Sequence, residues 1–150
     1  MTDYSTLCSS LEALICGVEH QTANLANAAA LLYNTLDRIN WAGFYLMKDG
    51  KLVLNAFQGK PACIEIAVGR GVCGAATAQG RTLVVADVHK FEGHIACDSN
   101  SRSEIVIPLI QKGIVVGVLD IDSPETDRFS DDDKCGLEAF AKIIENNVKF

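Results

Sequence analysis

Three of the six cysteines lie where a thiol can take part in chemistry. Cys63 follows a proline-containing loop, Cys73 begins a short predicted helix in GRGVCG, and Cys97 lies in the polar stretch GHIACDS. The remaining cysteines fall inside helical hydrophobic patterns, where free cysteine is commonly buried, and we expect them to be structural: Cys8, Cys16 and Cys135. The question is which of the first three sulfurs reacts.

Cys97 is the strongest candidate for a reactive sulfur. The thiolate is the reactive form of cysteine, and its pKa of about 8.5 falls beside a cation and rises beside an anion. His94 and Arg102 would lower the pKa of Cys97 and Asp98 would raise it, so the sequence leaves the direction open. The alternative is that Cys97 fills a small apolar gap, as free cysteines often do, although a polar loop offers little core to fill.

Cys63 and Cys73 occupy positions that suit exposure. The N–H groups at a helix N-terminus favour a thiolate at Cys73, and the loop before Cys63 favours access to a second sulfur. The spacings among the three loop cysteines match no short paired zinc-ligand pattern, and the chain has no CxxC motif. We therefore expect no bound metal and no cofactor.

A second set of candidate residues is acidic. Alternate residues of a strand share a face, so the segment IVVGVLDID places two carboxylates on one side, roughly 6.6 Å apart along the strand. The residues expected on that face are Val116, Val118, Asp120 and Asp122. Glu104 begins the partner strand of the same hairpin and should lie beside the two aspartates. The alternative is a strand end that projects into solvent.

Crowded carboxylates can supply a proton or bind a cation. Like charges in a partly buried site raise at least one carboxyl pKa, so a proton remains available at neutral pH, and the same acids could hold an ammonium group. The loop with Cys97 leads into the strand of Glu104, so thiol and acids are predicted to face one pocket. Trp41 and Tyr45 alternate on one strand face and either wall this pocket or belong to the core.

Hydrophobic periodicity predicts the elements that position these residues. Apolar residues at helical spacing indicate two helices, or one broken near Gly17, at the start of the chain, and a helix capped by Ser130 at its end. Alternating patterns indicate hairpins over 41–57 and 104–122, strands near 64–68 and 81–88, a helix over 72–79 and a long loop over 89–103. The predicted fold is α+β, a single domain over 1–150 whose mostly antiparallel sheet has the N- and C-terminal helices on one face.

Composition limits the class of protein and of partner. The 150 residues are 49% hydrophobic and 21% charged, typical of one folded domain. With 13 basic and 19 acidic residues, the net charge of -6 argues against nucleic acid and against an anionic membrane as partners. Because no segment is apolar enough to span a bilayer and the N-terminus lacks a signal-peptide pattern, we expect a soluble cytoplasmic protein with reduced thiols.

The same residues resemble those of a known family, the free methionine-(R)-sulfoxide reductases, which are GAF domains. The matching segments are WAGFY (41–45), FQGKPAC (57–63), GRGVCG (69–74), DVHKFEGHIACDSNSRSEIVIPL (87–109) and GVLDIDSP (117–124). A generic GAF domain shares the sheet and helices but lacks three cysteines at this spacing. The resemblance implies a GAF-like fold and a thiol-dependent reduction of free L-methionine (R)-sulfoxide.

The resemblance also implies a role for each candidate residue. Cys97 would be the attacking thiol, Cys63 the resolving thiol, and Cys73 an accessory or alternative resolver. The remaining matches are substrate-site acids at Glu104, Asp120 and Asp122, and an aromatic wall for the methyl sulfide end at Trp41 and Tyr45.

The implied reaction passes through a sulfenic acid and a disulfide. Cys97 attacks the sulfoxide sulfur while a protonated carboxyl, Glu104 or Asp122, donates to the oxygen. Cys63 then condenses with the Cys97 sulfenic acid, and thioredoxin or a similar dithiol reopens the disulfide.

Two alternatives to this enzyme are a non-catalytic GAF module that binds an amine-bearing small molecule and a thiol redox sensor. A homodimer is also expected, because helices at both termini offer an apolar face larger than one sheet covers.

Overall fold

A computed structural model describes residues 1–94 and 99–150, so the sequence prediction for Cys97 lies outside the described residues. The described residues form four α-helices, α1 (Tyr4–Ile15), α2 (Gln21–Thr35), α3 (Gly71–Gln79) and α4 (Asp131–Asn147). They also form six strands, β1 (Trp41–Lys48), β2 (Lys51–Gly59), β3 (Glu65–Ala67), β4 (Leu83–Val85), β5 (Ser103–Gln111) and β6 (Ile114–Ser123). No helix in the described part of the chain is long and apolar enough to cross a membrane.

The strands form a sheet in the order β3-β2-β1-β6-β5-β4, and each adjacent pair is antiparallel. Positive φ angles at Asp49-Gly50 and at Lys112-Gly113 give the tight turns of the two predicted hairpins, because paired positive φ angles match the strand twist. Both hairpins are present where the hydrophobic pattern predicts them. The α+β class with an antiparallel sheet is confirmed.

Local capping residues set the bounds of the terminal helices. The Asp3 carboxylate accepts a hydrogen bond from the Thr6 backbone N–H at 3.0 Å, and Gly17, with φ 74°, separates α1 from α2. Helix α4 begins at the predicted cap Ser130, which forms a capping box with Asp133. Its predicted stripe is buried: Leu137, Phe140, Ala141, Ile144 and Val148.

Each face of the sheet has its own buried cluster. On one face, the apolar residues of α1, α2 and α4 pack with strand residues such as Phe44 and Ile121, as predicted for the terminal helices. On the other face, α3 packs over a cluster that contains Trp41, Tyr45 and Cys73. This second face holds the candidate site, while the first provides most of the apolar core.

Two details of the strand predictions are wrong. The strand predicted over 81–88 is limited to β4, because the Asp87 carboxylate accepts a hydrogen bond from the His89 N–H and starts a 3₁₀ helix, Val88–Lys90. Val116 does not share the face of Asp120. Leu109 pairs with Gly117 and Ile110 with Val115, so Val116 is an extra residue in a bulge and packs against the opposite cluster.

Candidate active site

The three predicted acids converge at one end of the central strands. Glu104 on β5 is paired with Asp122 on β6, and Asp120 lies two residues away on the same face of β6. Glu104 is 6% exposed and Asp120 is 5% exposed, whereas Asp122 is half-buried. The alternative of a strand end that projects into solvent is therefore wrong for the first two acids.

Burial and mutual repulsion control how these acids are protonated. Burial raises the pKa of Glu104 well above its usual value, and the negative charges of Asp120 and Asp122 raise it further. Burial also raises the pKa of Asp120, but the hydrogen bond that it accepts from Glu104 works in the opposite direction. Of the two carboxyl groups, Glu104 therefore has the stronger tendency to stay protonated and to donate to Asp120.

Cys73 lies against these acids and is buried, so the prediction that it is exposed is wrong. It is 4% exposed at the start of α3, and burial raises its thiol pKa well above 9.0, helped by the negative charges of Asp120 and Glu104. Burial and acidic neighbours raise the thiol pKa by more than the helix N-terminus lowers it. Gly74 permits the close approach of α3 to the end of β3, because a Cβ there would meet the Ala67 carbonyl oxygen at 2.5 Å.

The thiol and two carboxyl groups are close enough to share one cation. A ligand atom from each of Cys73, Glu104 and Asp120 lies within 4.8 Å of the others, and all three residues are buried. Because the residues come from α3, β5 and β6, no short sequence motif reveals the group.

Two aromatic residues of β1 wall the site and hold the loop that contains Cys63. The Trp41 ring stacks against Tyr45 at 6.0 Å and against Phe57 at 5.2 Å between centroids. The Trp41 indole N–H donates to the Lys60 carbonyl oxygen at 3.1 Å, and the Tyr45 hydroxyl donates to that of Cys63 at 2.8 Å. Both aromatic residues are buried and line the pocket, so the wall and core interpretations are both correct.

The acids, the aromatic wall and Cys73 surround one small pocket with an enclosed volume of about 50 Å³. Its lining also includes Arg70 and Ser101, which the sequence analysis did not single out, although Arg70 falls within the GRGVCG segment. His94 lines the same pocket, and burial lowers its pKa below 6.5, helped by the nearby His89. The His94 ring is therefore uncharged at neutral pH and supplies no positive charge.

The other described cysteines differ in their exposure and in whether they form a disulfide. Cys63 is half-buried and takes part in a disulfide bond. Cys8 is half-buried in α1, while Cys16 and Cys135 are exposed, so the expectation that all three helical cysteines are buried is wrong. Cys16 lies one residue beyond the end of α1, and Cys135 lies off the buried stripe of α4, which explains the exposure of both.

Comparisons with known proteins agree with this geometry. The model of the GAF domain family matches residues 11–148. The free methionine-R-sulfoxide reductase of Escherichia coli is 52% identical over 142 residues, which cover 95% of this chain and 86% of that protein.

Two solved structures extend the similarity to three dimensions. The reduced form of fRMsr from Staphylococcus aureus superposes with a TM-score of 0.95 at 54% identity, over 98% of this chain and 96% of that one. Free methionine-R-sulfoxide reductase from Neisseria meningitidis, in complex with its substrate, superposes with a TM-score of 0.93 at 44% identity. The superposition covers 96% of this chain and 87% of that one. From its sequence, fold and pocket, the chain belongs to the free methionine-(R)-sulfoxide reductases of the GAF domain family.

Proposed function

We propose that this chain reduces free methionine-(R)-sulfoxide to methionine by thiol chemistry. The observation that carries the proposal is the buried pair of Glu104 and Asp120, in which Glu104 has its pKa raised further by Asp120, in a pocket walled by Trp41 and Tyr45. A structural role alone does not account for two buried acids beside a thiol, because burying such groups is costly.

The pocket supplies complementary groups for each end of a free amino acid. Asp120 and Asp122 offer negative charge to an ammonium group, and the faces of Trp41 and Tyr45 offer apolar surface to the methyl sulfide end. A methionine sulfoxide residue within a peptide has no free ammonium group to place between the acids. We therefore assign the specificity for the free amino acid to the acidic end of the pocket.

Cys97 is the proposed nucleophile, and its position lies outside the described residues. Its thiolate attacks the sulfoxide sulfur and forms a sulfur–sulfur bond while Glu104 donates a proton to the oxygen. The oxygen then passes to the Cys97 sulfur as the substrate sulfur–oxygen bond and the new sulfur–sulfur bond both break. The products are methionine, whose sulfur is reduced, and a Cys97 sulfenic acid. Of the two candidate acids, Glu104 is favoured over Asp122 because Glu104 is the buried carboxyl that holds a proton.

Cys63 is the proposed resolving thiol. It condenses with the Cys97 sulfenic acid, forms a sulfur–sulfur bond and releases one water molecule. The participation of Cys63 in a disulfide supports this role, while the buried, protonated state of Cys73 leaves that thiol as the accessory one. Thioredoxin or a similar dithiol then reduces this disulfide by thiol–disulfide exchange, giving it two electrons and becoming a disulfide itself.

We further propose that the chain acts as one GAF-like domain over 1–150 in the cytoplasm, and that it forms a homodimer. Four free cysteines in the described part of the chain suit a reducing compartment. Leu14, Val18 and Tyr33 in and beside the first two helices are 36–42% exposed and offer apolar surface to a second copy. Light scattering checks the homodimer: a monomer mass would reject it.

Turnover of the two sulfoxide epimers tests the proposed function. With dithiothreitol as reductant, the chain should convert free methionine-(R)-sulfoxide and leave both the (S) epimer and N-acetylmethionine sulfoxide nearly untouched. Cys97→Ser should abolish the reaction, whereas Cys135→Ser, a matched change at an exposed cysteine, should retain it. Equal use of both epimers, or full activity in Cys97→Ser, would contradict the proposal. Saturable binding without turnover would instead favour a binding module.

A further inference from the structure

We propose that Cys73, Glu104 and Asp120 form a binding site for a thiolate-preferring divalent metal ion such as Zn²⁺, which excludes the sulfoxide substrate from the pocket. The competition rests on the proposed function, because the same acids would bind the substrate ammonium group. The metal is an inhibitory ligand here and takes no part in the reduction.

The geometry fits a tetrahedral ion. Zinc binds sulfur at about 2.3 Å and carboxylate oxygen at about 2.0–2.2 Å, which places the ligand atoms of one site roughly 3.3–3.8 Å apart. The three ligand atoms here lie within 4.8 Å of one another, so small side-chain shifts bring them to bonding distance. Sulfur and carboxylate oxygen together favour zinc or cobalt over magnesium or calcium, which prefer oxygen ligands alone.

An unsatisfied atom in the site provides a second, independent observation. Asp120 is 95% buried, and its Oδ1 atom has no hydrogen-bond partner among the residues that the structure describes. A buried carboxylate oxygen without a partner is unfavourable, and such atoms commonly mark the place of a ligand. Asp120 lines the pocket, so an ion that enters there meets the carboxylate that carries this oxygen.

Charge and space also suit an ion. Two carboxyl groups and a thiol in one buried cluster repel each other when ionised, and a divalent cation removes that repulsion. Binding would release the Cys73 and Glu104 protons to solvent and form the sulfur–metal bond, so affinity should increase with pH. The enclosed volume of about 50 Å³ leaves room for a water molecule at the fourth coordination position.

Cobalt provides a direct probe, because a Co²⁺–thiolate bond absorbs in the near ultraviolet and tetrahedral Co²⁺ absorbs visible light. We expect both bands when Co²⁺ is added to the protein with its Cys63 disulfide intact, and loss of the bands on addition of Zn²⁺. Cys73→Ser should abolish the near-ultraviolet band, and Asp120→Asn should weaken binding at least tenfold. Matched changes at exposed cysteines, Cys16→Ser and Cys135→Ser, should leave the bands unchanged.

Three results would overturn the metal site: an unchanged band in Cys73→Ser, a band lost in Cys16→Ser or Cys135→Ser, or no band in the unaltered protein with circular dichroism showing it folded. The competition has its own readout, because methionine should displace Co²⁺ and remove the visible band. Retention of the band at saturating methionine would reject the competition. Turnover in the presence of a chelator tests the proposed reductase separately, so the two ideas can fail independently.

Discussion

At the scale of single residues, the main chemical feature of the site is the proton that Glu104 can share with Asp120. Neither carboxyl is exposed, and burial raises the pKa of both. A carboxylic acid that stays neutral near pH 7 can donate a proton to the sulfoxide oxygen as its bond to sulfur breaks. The unpaired Asp120 oxygen and the buried Cys73 thiol beside it make the same residues a place for a cation.

The proton donor can be tested by Glu104→Gln, which keeps the shape of the side chain and removes its acidic proton. We expect kcat for methionine-(R)-sulfoxide to fall by about 100-fold or more, the usual contribution of a general acid. The rate of the unaltered enzyme should decline at high pH as Glu104 loses its proton, and this decline should be absent from the variant. Stopped assays across a pH series measure both effects.

The matched control is Glu65→Gln, at an exposed glutamate of β3 paired with Lys51. It should change neither the rate nor its pH profile. A Glu104→Gln enzyme with full activity and an unaltered alkaline decline would exclude Glu104 as the donor.

At the scale of elements, β1 connects the aromatic wall of the pocket to the loop that contains Cys63. Trp41 and Tyr45 donate hydrogen bonds to the carbonyl oxygens of Lys60 and Cys63, so β1 holds in place the loop between β2 and β3, which lines the pocket. The Tyr45 hydroxyl thus holds the backbone of Cys63 in place, while its ring lines the pocket. In the proposed reaction, the hydroxyl affects disulfide formation rather than the attack on the sulfoxide.

Tyr45→Phe should separate these two steps. The variant loses one hydrogen bond of about 0.5–1.5 kcal/mol, so we expect a roughly 2- to 12-fold slower formation of the disulfide. The first release of methionine in a single turnover should keep its rate. Rapid-quench assays of methionine and of free thiols give the two rates. Tyr33→Phe on α2 is the matched control, and a slower methionine release in Tyr45→Phe with normal disulfide formation would contradict the assignment.

Helix α4 is anchored at its first turn by a buried ion pair. Arg128 Nη1 contacts Asp133 Oδ2 at 2.9 Å, and the Tyr4 hydroxyl donates to Asp133 Oδ1 at 2.6 Å, which joins α4 to α1. Burial acts to raise the Asp133 pKa, but hydrogen bonds from Tyr4 and Ser130 and the charge of Arg128 outweigh it and lower the pKa.

Asp133→Asn should therefore reduce the free energy of unfolding by about 2 kcal/mol, because it removes the charge of the more buried of the two carboxylates that pair with Arg128, while Asp37 keeps its contact at 3.0 Å. Asp131→Asn, an exposed change in the same helical turn, should cost less than about 1 kcal/mol. Urea unfolding followed by circular dichroism measures both. Equal losses of unfolding free energy in the two variants would show that the ion pair of Arg128 with Asp133 stabilises the fold no more than an exposed aspartate does.

For the whole molecule, the buried acids make stability depend on pH. The folded pKa of Glu104 lies above its unfolded value of about 4.3, so the folded state binds more protons and stability falls as pH rises between those two values. Asp120 acts in the same direction. Urea unfolding at several pH values should show this decline, and Glu104→Gln should flatten it. If the free energy of unfolding fell equally with pH in the unaltered protein and in Glu104→Gln, the proposed cost of burying the Glu104 carboxylate would be contradicted.

The fold was predictable from the sequence to a greater extent than the state of the site residues. Hairpin turns and alternating hydrophobic residues predict the antiparallel strands, and from them the meeting of Glu104 with Asp120 and Asp122. The burial of Cys73 was not predictable, because it depends on α3 packing against β5 and β6, far away in the sequence. The bulge at Val116 depends on a shift in strand register, and the early end of β4 depends on a hydrogen bond to the Asp87 side chain, and hydrophobic periodicity encodes neither.

The central claim is that Cys97 takes the oxygen of methionine-(R)-sulfoxide within the pocket of Glu104. The most direct test is to mix Cys63→Ser, without reductant, with one equivalent of the sulfoxide in the presence of dimedone, a reagent that traps sulfenic acids. Peptide mass spectrometry should then locate the dimedone adduct on Cys97, in amounts that match the methionine released. Methionine released with the adduct on Cys73, or with no adduct on Cys97, would contradict the account.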